Sequence, residues 1–383
     1  MSVEKILADL VAIPSLPGTA NGRVTDCLRS HLQHPGLGMT VLPGPEGDRF
    51  NLFVTIGPRD TPGYILSGHS DVVSVDNQVW EADPFRLSAD GDKLTGRGTT
   101  DMKGFLACML AMAPEFAAMP LRRPVHLAFS YDEEIGCRGV GHMIARLPEL
   151  CATPAGAIIG EPSGMRPVLS HKGKQALEIR FTGKAGHSSN PALGENALYA
   201  AADMLLHIRA IAEGLEREGP FDARFTPAHS TCQAGLIHGG AAVNIIPDRA
   251  TIEFEARAIP GVDPRSLGRS IAAWIEALNT ASLGSGRHLS ASWHETSSYP
   301  ALPPCVDQAF VETMERLSGK PSVQAVSYGT EAGLYHQAGI PSIICGPGDI
   351  ARAHRPDEFI LKSELQDCLT MMRRLGAELC RDA

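Results

Sequence analysis

Two different patterns of apolar residues divide the chain and constrain its fold more than any other feature. In the two outer parts, short apolar runs of strand length alternate with helical stretches, and these runs lie at 51–56, 64–68, 125–131, 155–160 and 341–346. Strands that alternate with helices predict a parallel or mixed sheet covered on both faces. One helical stretch, 102–113, is rich in Ala, Met and Leu, and Pro114 is expected to end or kink it.

The middle segment has a different pattern, in which strands outnumber helices. Its predicted order is strand, helix, strand, strand, helix, strand, at 176–182, 196–217, 231–237, 250–258, 263–281 and 289–293. Asp263 is the expected N-cap of the second helix, with Pro264 at its first position. We therefore expect an α/β protein with a mixed, mostly parallel sheet at 1–175 and 292–383, interrupted by a smaller α+β, ferredoxin-like domain at 176–291.

Length and composition limit the class of protein. At 383 residues the chain is longer than one hydrophobic core usually supports, so two domains are the default. The net charge of -9 argues against a nucleic-acid partner. No apolar run reaches the roughly 20 residues of a membrane span, and the N-terminus does not resemble a signal peptide. Nine cysteines without C-x-x-C pairs predict reduced thiols, so we expect a cytoplasmic protein without membrane contacts.

Acidic and imidazole side chains follow the ends of the predicted strands. In open α/β sheets, sites form outside the carboxyl ends of the strands, so these side chains are expected to converge. The side chains are His69 and Asp71 after 64–68, the run Asp132-Glu133-Glu134 after 125–131, Glu161 after 157–160, His354 in the loop after 342–346, and Asp101 just before the helix at 102–113.

Convergent carboxylates repel one another, which a pair of divalent cations would relieve. Histidine nitrogen and carboxylate oxygen donors suit zinc, with one carboxylate shared between the two ions. Each element also has an ordinary explanation: Asp101 as a helix N-cap, the acidic run as a solvated loop, and His354 as part of an exposed basic turn. All of these explanations would have to hold together, which favours the metal site.

Six sequence strings resemble the dinuclear-zinc aminoacylase and carboxypeptidase family. They are SGHSDVV (67–73), GRGTTDMKG (96–104), DEEIG (132–136), GEP (160–162), GHSS (186–189) and AHRPDE (353–358). They occur in the order typical of the family and span nearly the whole chain. Three further strings most resemble the acetylornithine deacetylases within that family, namely WEADPF (80–85), HKGK (171–174) and NIIP (244–247).

The resemblance implies a role for each residue of the predicted metal site. His69, Asp101 and Glu161 would bind one Zn²⁺, and Asp101, Glu134 and His354 the other, with Co²⁺ as a substitute metal. Asp71 would brace His69, and Glu133 would be the general base. Glu161 stands where aminopeptidase relatives have aspartate, which favours acyl-amino-acid substrates.

The resemblance also implies a role for the inserted domain, as a lid and dimerisation domain. His187 would reach the active site of the other subunit of a homodimer and stabilise the oxyanion. Without the resemblance, His187 would be taken for an exposed loop histidine. Asn244 and Arg257 would hold the substrate carboxylate. An ordinary surface charge at the end of a strand explains Arg257 almost equally well. Gly329, Thr330 and Glu331 would add weaker contacts to a carboxylate or an amine of the substrate.

The implied reaction is hydrolysis of an N-acyl amino acid, first of all N-acetyl-L-ornithine to L-ornithine and acetate. Three alternatives stay open: another N-acyl amino acid or diamino acid, succinyl-diaminopimelate included; a dipeptide; or a metal-binding protein of the same fold without catalysis. Retention of Glu133 beside a full ligand set speaks against the last. The sequence lacks the G-x-S-x-G of serine hydrolases, and no G-x-G-x-x-G follows its first strand.

Overall fold

A computed structural model of the protein describes residues 1–381. Within them the helices are α1 Val3–Val11, α2 Gly22–His31, α3 Gly104–Ala118, α4 Val140–Ile144, α5 Leu147–Leu150, α6 Ala197–Glu218, α7 Pro264–Gly284, α8 Gln308–Ser318, α9 Ala332–Gln337 and α10 Lys362–Leu379. The strands are β1 Leu37–Pro43, β2 Phe50–Ile56, β3 Tyr64–His69, β4 Ser88–Asp90, β5 Lys93–Thr95, β6 Val125–Ser130, β7 Gly156–Pro162, β8 Gly173–Thr182, β9 Gly186–His187, β10 Thr231–Gly239, β11 Ile245–Ile246, β12 Arg249–Ala258, β13 Ser290–Tyr299, β14 Ser342–Gly346 and β15 Phe359–Leu361. Shorter helical turns lie at Thr99–Lys103, Pro191–Leu193 and Ile350–Arg352. None of the helices in this part of the chain is long and apolar enough to cross a bilayer.

The described chain forms two compact units. The outer unit comprises Met1–Ser170, Leu302–Ala325 and the chain from Thr330 onward. The inserted unit comprises His171–Ala301 together with Val326–Gly329. Each unit has a hydrophobic core of its own.

The outer unit is built around a six-stranded mixed sheet. Its strand order is β1-β2-β6-β3-β7-β14, in which β6, β3, β7 and β14 run parallel to one another and β2 is antiparallel to both of its neighbours, β1 and β6. Every residue of β3, β6, β7 and β14 is buried, as expected for parallel strands covered on both faces. Apolar residues of α1, α3, α8 and α10 complete this core. The predicted α/β class with a mixed, mostly parallel sheet is confirmed.

Helix α3 continues past Pro114 to Ala118, so of the two outcomes expected at Pro114, an end or a kink, the end is excluded. A proline inside a helix costs ~3 kcal/mol, because it removes one hydrogen bond and crowds the preceding turn. Phe116, which follows the proline, is fully buried in the core of the outer unit. Packing of this last turn offsets the local cost of the proline.

The inserted unit has the order β8-α6-β10-β12-α7-β13, and its sheet has the order β10-β12-β8-β13 with every neighbouring pair antiparallel. This is the ferredoxin-like arrangement, so the predicted smaller α+β unit is confirmed. Asp263 is the N-cap of α7, because its side chain accepts a hydrogen bond from the backbone N of Arg265, and Pro264 is the first helical residue.

A small three-stranded sheet in the outer unit joins segments that are distant in sequence. Its order is β15-β5-β4, and Phe359 of β15 pairs with Thr95 of β5. These strands are only three residues long, so the sequence contains no apolar pattern that would predict them. Because β5 precedes Asp101 and β15 follows His354, this sheet brings the two segments side by side.

Candidate metal centre

Side chains at the carboxyl ends of neighbouring parallel strands form a buried polar cluster in the outer unit. His69 is the last residue of β3, Glu161 lies near the end of β7, and Glu133 and Glu134 follow β6. Because β6, β3 and β7 are adjacent and parallel, their ends meet at one edge of the sheet.

His69 lies at the centre of this cluster, with 1% of its side chain exposed. Its Nε2 is 3.1 Å from Oδ1 of Asp101 and 3.7 Å from Oε1 of Glu161. Its Nδ1 is 2.9 Å from the backbone O of Asp71 and 3.5 Å from the Asp71 carboxylate. The imidazole is therefore held from behind by Asp71 and presents Nε2 to two carboxylates.

Asp101 lies between two histidines. Its Oδ1 faces Nε2 of His69 at 3.1 Å, and its Oδ2 faces Nε2 of His354 at 3.2 Å. Both oxygens of Glu134 are also close to that His354 nitrogen, at 3.2 and 3.1 Å. A carboxylate with one oxygen toward each histidine has the geometry that a shared ligand of two cations requires.

The carboxylates of the cluster resist ionisation together. Burial, with the nearby Glu134 and Glu331 carboxylates, raises the pKa of Glu133 to about 8. Burial and the charge of Asp101 raise the pKa of Glu134, and they raise that of Glu161 well above its ordinary value. Neutral pH would therefore leave several of these groups protonated unless positive charge entered the cluster.

The two histidines supply that positive charge in the metal-free protein. Burial lowers the pKa of His69, but its contacts with Asp101 and Asp71 outweigh burial and raise the pKa well above 6.5. Contacts with Asp101 and Glu134 raise the pKa of His354 to about 11. Burial opposes ionisation of Asp101, yet hydrogen bonds with His354 and His69 hold its pKa below the usual range. Divalent cations, which this donor set suits, would supply positive charge in place of the imidazole protons.

Two triplets of donor atoms are compact enough to hold a metal ion. Among the described residues, His69, Glu133 and Glu161 form one, and His69, Asp101 and Glu134 the other, with the atoms of each within 4.8 Å of one another. The donors are imidazole nitrogen and carboxylate oxygen, which fit zinc-type divalent ions. All five residues predicted as ligands lie in this cluster, while their division between two ions stays a prediction. Glu133 also lies within ligand distance of His69 and Glu161.

Asp71 has a second function in this geometry. Its two carboxylate oxygens accept hydrogen bonds from the backbone N of Glu133 and of Glu134, both at 3.1 Å. The Glu133 side chain has a thiol neighbour, because Sγ of Cys137 is 3.3 Å from Oε1 of Glu133. Asp71 therefore fixes the backbone that carries both glutamates as well as the ring of His69.

Glu331 is a buried carboxylate of the outer unit to which sequence reasoning gave no firm role. It is 1% exposed, and its Oε2 is 3.4 Å from Oγ of Ser67, two residues before His69. Burial raises the pKa of Glu331 to about 7. The neighbouring Thr330 is fully buried, and its hydroxyl accepts a hydrogen bond from the backbone N of Ala332 at the start of α9. The sequence signal was only the polar string 329–331 before an apolar helix.

His187 and Asn244 lie on neighbouring segments of the inserted unit. His187 is exposed on β9 and pairs with Ile245 of β11. Its Nδ1 is 2.7 Å from Oγ of Ser189, a local contact. The backbone O of Asn244 accepts a hydrogen bond from the N of Ser188 at 3.1 Å. The two predicted residues are therefore brought close by the β9–β11 pairing.

Arg257 lies in a polar cluster elsewhere in the inserted unit. Its guanidinium donates to both oxygens of Glu255, at 2.8 and 3.1 Å, and to Oη of Tyr299 at 2.8 Å. Gly329 lies against the same tyrosine, since a Cβ there would be 2.3 Å from the Tyr299 ring. The positive charge of Arg257 is therefore partly neutralised by Glu255. Position 329 requires glycine, because any larger side chain would collide with the Tyr299 ring.

Comparison with known proteins gives consistent matches along the chain. The family model described as Peptidase family M20/M25/M40 matches residues 65–378. An acetylornithine deacetylase of Photorhabdus laumondii is 32% identical over 98% of this chain and 97% of its own length.

Two solved structures share the fold. An M20 family metallo-carboxypeptidase from Sulfolobus solfataricus superposes with a TM-score of 0.77 at 19% identity, covering 99% of both chains. A dinuclear metal binding peptidase of the M20 family from Bacillus subtilis superposes with a TM-score of 0.62 at 17% identity, covering 98% of this chain and 97% of its own. Because the family model covers most of the sequence and the deacetylase matches nearly all of it, the chain belongs to peptidase family M20/M25/M40 and is a metallo-hydrolase.

Proposed function

We propose that this protein hydrolyses the acyl–amine bond of N-acyl amino acids, with N-acetyl-L-ornithine as the first candidate substrate. The observation that carries the proposal is the buried cluster in which Asp101 faces His69 and His354, with Glu133 beside it. The deacetylase relative, similar over nearly its full length, supports the N-acetyl substrate. Glu161 in place of aspartate agrees with an acyl-amino-acid hydrolase.

The cluster would hold two Zn²⁺ ions, which Co²⁺ can replace. His69, Asp101 and Glu161 would bind one ion, and Asp101, Glu134 and His354 the other. When bound, the ions would supply Lewis acidity, which lowers the pKa of water and stabilises negative charge on the acyl oxygen.

Glu133 would move the proton during hydrolysis. In the metal-free protein its pKa of about 8 leaves it largely protonated at pH 7, so it becomes a competent base only with positive charge beside it. Its carboxylate would accept a proton from the attacking water and return it to the leaving nitrogen as the C–N bond breaks. Such an acid–base role contributes ~100- to 10,000-fold to the rate. Asp71 holds the Glu133 backbone in place for this transfer.

The inserted unit would complete the site in a homodimer. His187 is exposed, and its ring contacts Ser189, only two residues further along the chain. This arrangement suits a side chain that acts in the active site of a partner copy. Arg257 and Asn244 would hold the substrate carboxylate. Gly329 and Thr330, where the chain passes from the inserted unit back to the outer unit, would add weaker contacts. Arg257 would bind the carboxylate through the two N–H groups, one on Nη1 and one on Nη2, that remain beside its hydrogen bonds to Glu255 and Tyr299.

An apolar edge of the inserted unit supports the homodimer. Strand β10 is at the edge of its sheet and exposes Leu236 and Ile237, at 51% and 45%. Helix α6 of the same unit exposes Tyr199 and Leu206, at 73% and 54%. An exposed apolar edge strand is a surface that proteins usually cover. We propose that a second copy of the chain pairs along β10.

We also propose a cytoplasmic location. All nine cysteines are free in the structure, which agrees with a reducing compartment.

A substrate panel tests the proposed reaction. Free-amine release would be measured with metal-loaded protein on N-acetyl-L-ornithine, other N-acetyl amino acids, N-succinyl-diaminopimelate and simple dipeptides. The matched control is the Glu133→Gln variant, which excludes a contaminating hydrolase. Chelator-sensitive release that is fastest with N-acetyl-L-ornithine supports the proposal. If another substrate is hydrolysed fastest, the proposed reaction type is kept and the proposed substrate is wrong. No turnover of any substrate with metal bound supports the non-catalytic alternative.

A further inference from the structure

Glu358 is a buried carboxylate that binds the segment leading to Asp101. It is 1% exposed. Its Oε1 accepts hydrogen bonds from the backbone N of Thr100 and of Asp101, at 2.9 and 3.1 Å. Its Oε2 accepts from the backbone N of Gly98 at 3.1 Å and from Nη1 of Arg97 at 2.7 Å. All four donors therefore belong to one stretch of five residues that ends at the central carboxylate of the site.

Arg97 and Gln78 extend this network to the second histidine. Arg97 is also 1% exposed, and its Nη2 donates to Oε1 of Gln78. Nε2 of Gln78 in turn donates to the backbone O of His354 at 2.9 Å. Hydrogen bonds thus run without a break from the backbone N of Asp101, through Glu358, Arg97 and Gln78, to the backbone O of His354.

We propose that Glu358, Arg97 and Gln78 form a clamp that positions Asp101 and His354 for the two cations. A buried ion pair is a poor source of stability, because desolvation of both charges offsets their attraction. This pair instead fixes the backbone on both sides of the cluster, at Asp101 and at His354. Groups that orient metal ligands determine metal affinity, although they do not touch the metal. The clamp residues are positioning residues, and the inference rests on the metal centre of the proposed function.

The Glu358→Gln variant removes the clamp with little change of volume. A glutamine offers one oxygen and one NH₂ group, whereas every partner of Glu358 is a hydrogen-bond donor. Whichever way the glutamine amide is turned, its NH₂ group takes the place of one carboxylate oxygen and faces two N–H donors, with which it cannot form hydrogen bonds. Either Gly98 and Arg97, or Thr100 and Asp101, lose their acceptor.

Gln78→Ala disturbs the other end of the clamp and is less demanding for folding, because Gln78 is only half-buried. It removes the hydrogen bond to the backbone O of His354 but leaves Glu358 bound to the Asp101 segment. Since His354 is assigned to one cation and Asp101 to both, the two variants should differ in how many sites they weaken.

Calorimetric titration of the metal-free, full-length protein with Zn²⁺ measures both sites. Glu358→Gln should weaken both by ~10- to 100-fold, and Gln78→Ala should weaken one and leave the other unchanged. The absorption spectrum of the Co²⁺-loaded protein should change in both variants, because ligand geometry changes. Wild-type affinities together with a wild-type Co²⁺ spectrum in both variants would overturn the clamp.

Two control variants separate positioning from general stability. Met314→Ala opens a cavity in the core of the outer unit, where Met314 is fully buried, and leaves the clamp intact. Gln33→Ala removes a similar hydrogen bond from a glutamine amide to a backbone carbonyl, that of Arg29 at 2.8 Å. Both should keep wild-type metal affinity. If Met314→Ala, at an equal loss of melting temperature, weakened metal binding as much as Glu358→Gln does, the positioning role would be wrong.

The wild-type protein distinguishes failure of the clamp from failure of the proposed function. Two bound Zn²⁺ ions without turnover of any amide would contradict the function and leave the clamp comparison valid. Equal metal binding by wild-type and clamp variants, with turnover retained, would contradict the clamp alone. A wild-type protein that binds no Zn²⁺ would overturn both.

Discussion

Replacing Glu133 with glutamine tests the division of roles between two adjacent glutamates. The substitution keeps the volume of the side chain and leaves the backbone N of residue 133 bonded to Asp71. It removes only the ability to take up a proton. We expect kcat to fall ~100- to 10,000-fold, which corresponds to about 3–5 kcal/mol of transition-state stabilisation.

The same substitution should stabilise the metal-free protein. The pKa of Glu133 rises from 4.5 to about 8 on folding, chiefly through burial. At pH 7 the unfolded chain is ionised at this position, since pH 7 lies about 2.5 pH units above the ordinary pKa, while the folded chain is protonated. This difference costs the folded state on the order of 3 kcal/mol at pH 7. Glutamine removes that cost, so its free energy of unfolding should exceed that of wild-type metal-free protein.

Three measurements decide the outcome: steady-state amine release, metal content per chain and urea unfolding of the metal-free protein. Glu133→Gln should combine a large loss of kcat with unchanged metal content. The matched control is Glu134→Gln, one residue further on, which should lose metal because Glu134 faces His354. Loss of metal in Glu133→Gln would make Glu133 a ligand and refute the reasoning, as would a rate within tenfold of wild type.

The remaining predictions concern the shared site, the dimer and pH. His187→Ala should lower kcat by ~100- to 1,000-fold at unchanged metal content, and mixing it with Glu133→Gln protein should restore part of the activity; no recovery would contradict a site shared between subunits. If the chain forms the proposed dimer, Leu236→Glu, on the exposed edge of β10, should convert it to a monomer in sedimentation velocity, and a dimer that persists in this variant would rule out pairing along that edge. In the metal-free protein burial raises the pKa of Glu331 from 4.5 to about 7, so the stability it contributes below pH 4.5 should be lost as pH rises through 7. Urea unfolding at several pH values should show this loss, with a smaller slope in Glu331→Gln, and equal slopes in both proteins would contradict it.

The sequence predicted those parts of the molecule in which local pattern and strand order act together. His69 and Glu161 were located because each follows an apolar run, and parallel strands place their ends at one edge. The ferredoxin-like unit was predicted from the order of its strands and helices alone. The N-cap at Asp263 was predicted because short polar side chains bond the free N–H groups of a first helical turn.

Features that depend on distant partners were missed. Glu358 lies in a string that was matched to the family, yet nothing near it indicates a bond to Arg97, 261 positions away. The small sheet of β4, β5 and β15 consists of three-residue strands, too short for a periodic signal. An end of the helix at Pro114 was one of two expected outcomes, the other being a kink, because local rules take no account of the core in which Phe116 is buried.

We propose that a buried pair of metal ions in this cluster drives hydrolysis of an N-acyl amino acid. The most direct measurement adds Zn²⁺ stepwise to metal-free protein and follows both bound metal and amine release from N-acetyl-L-ornithine. We expect two equivalents of Zn²⁺ to bind, amine release to begin as the sites fill, and a chelator to abolish this release. Release that is unaffected by the chelator, or two bound ions with no hydrolysis of any N-acyl amino acid, would contradict metal-driven hydrolysis at this cluster.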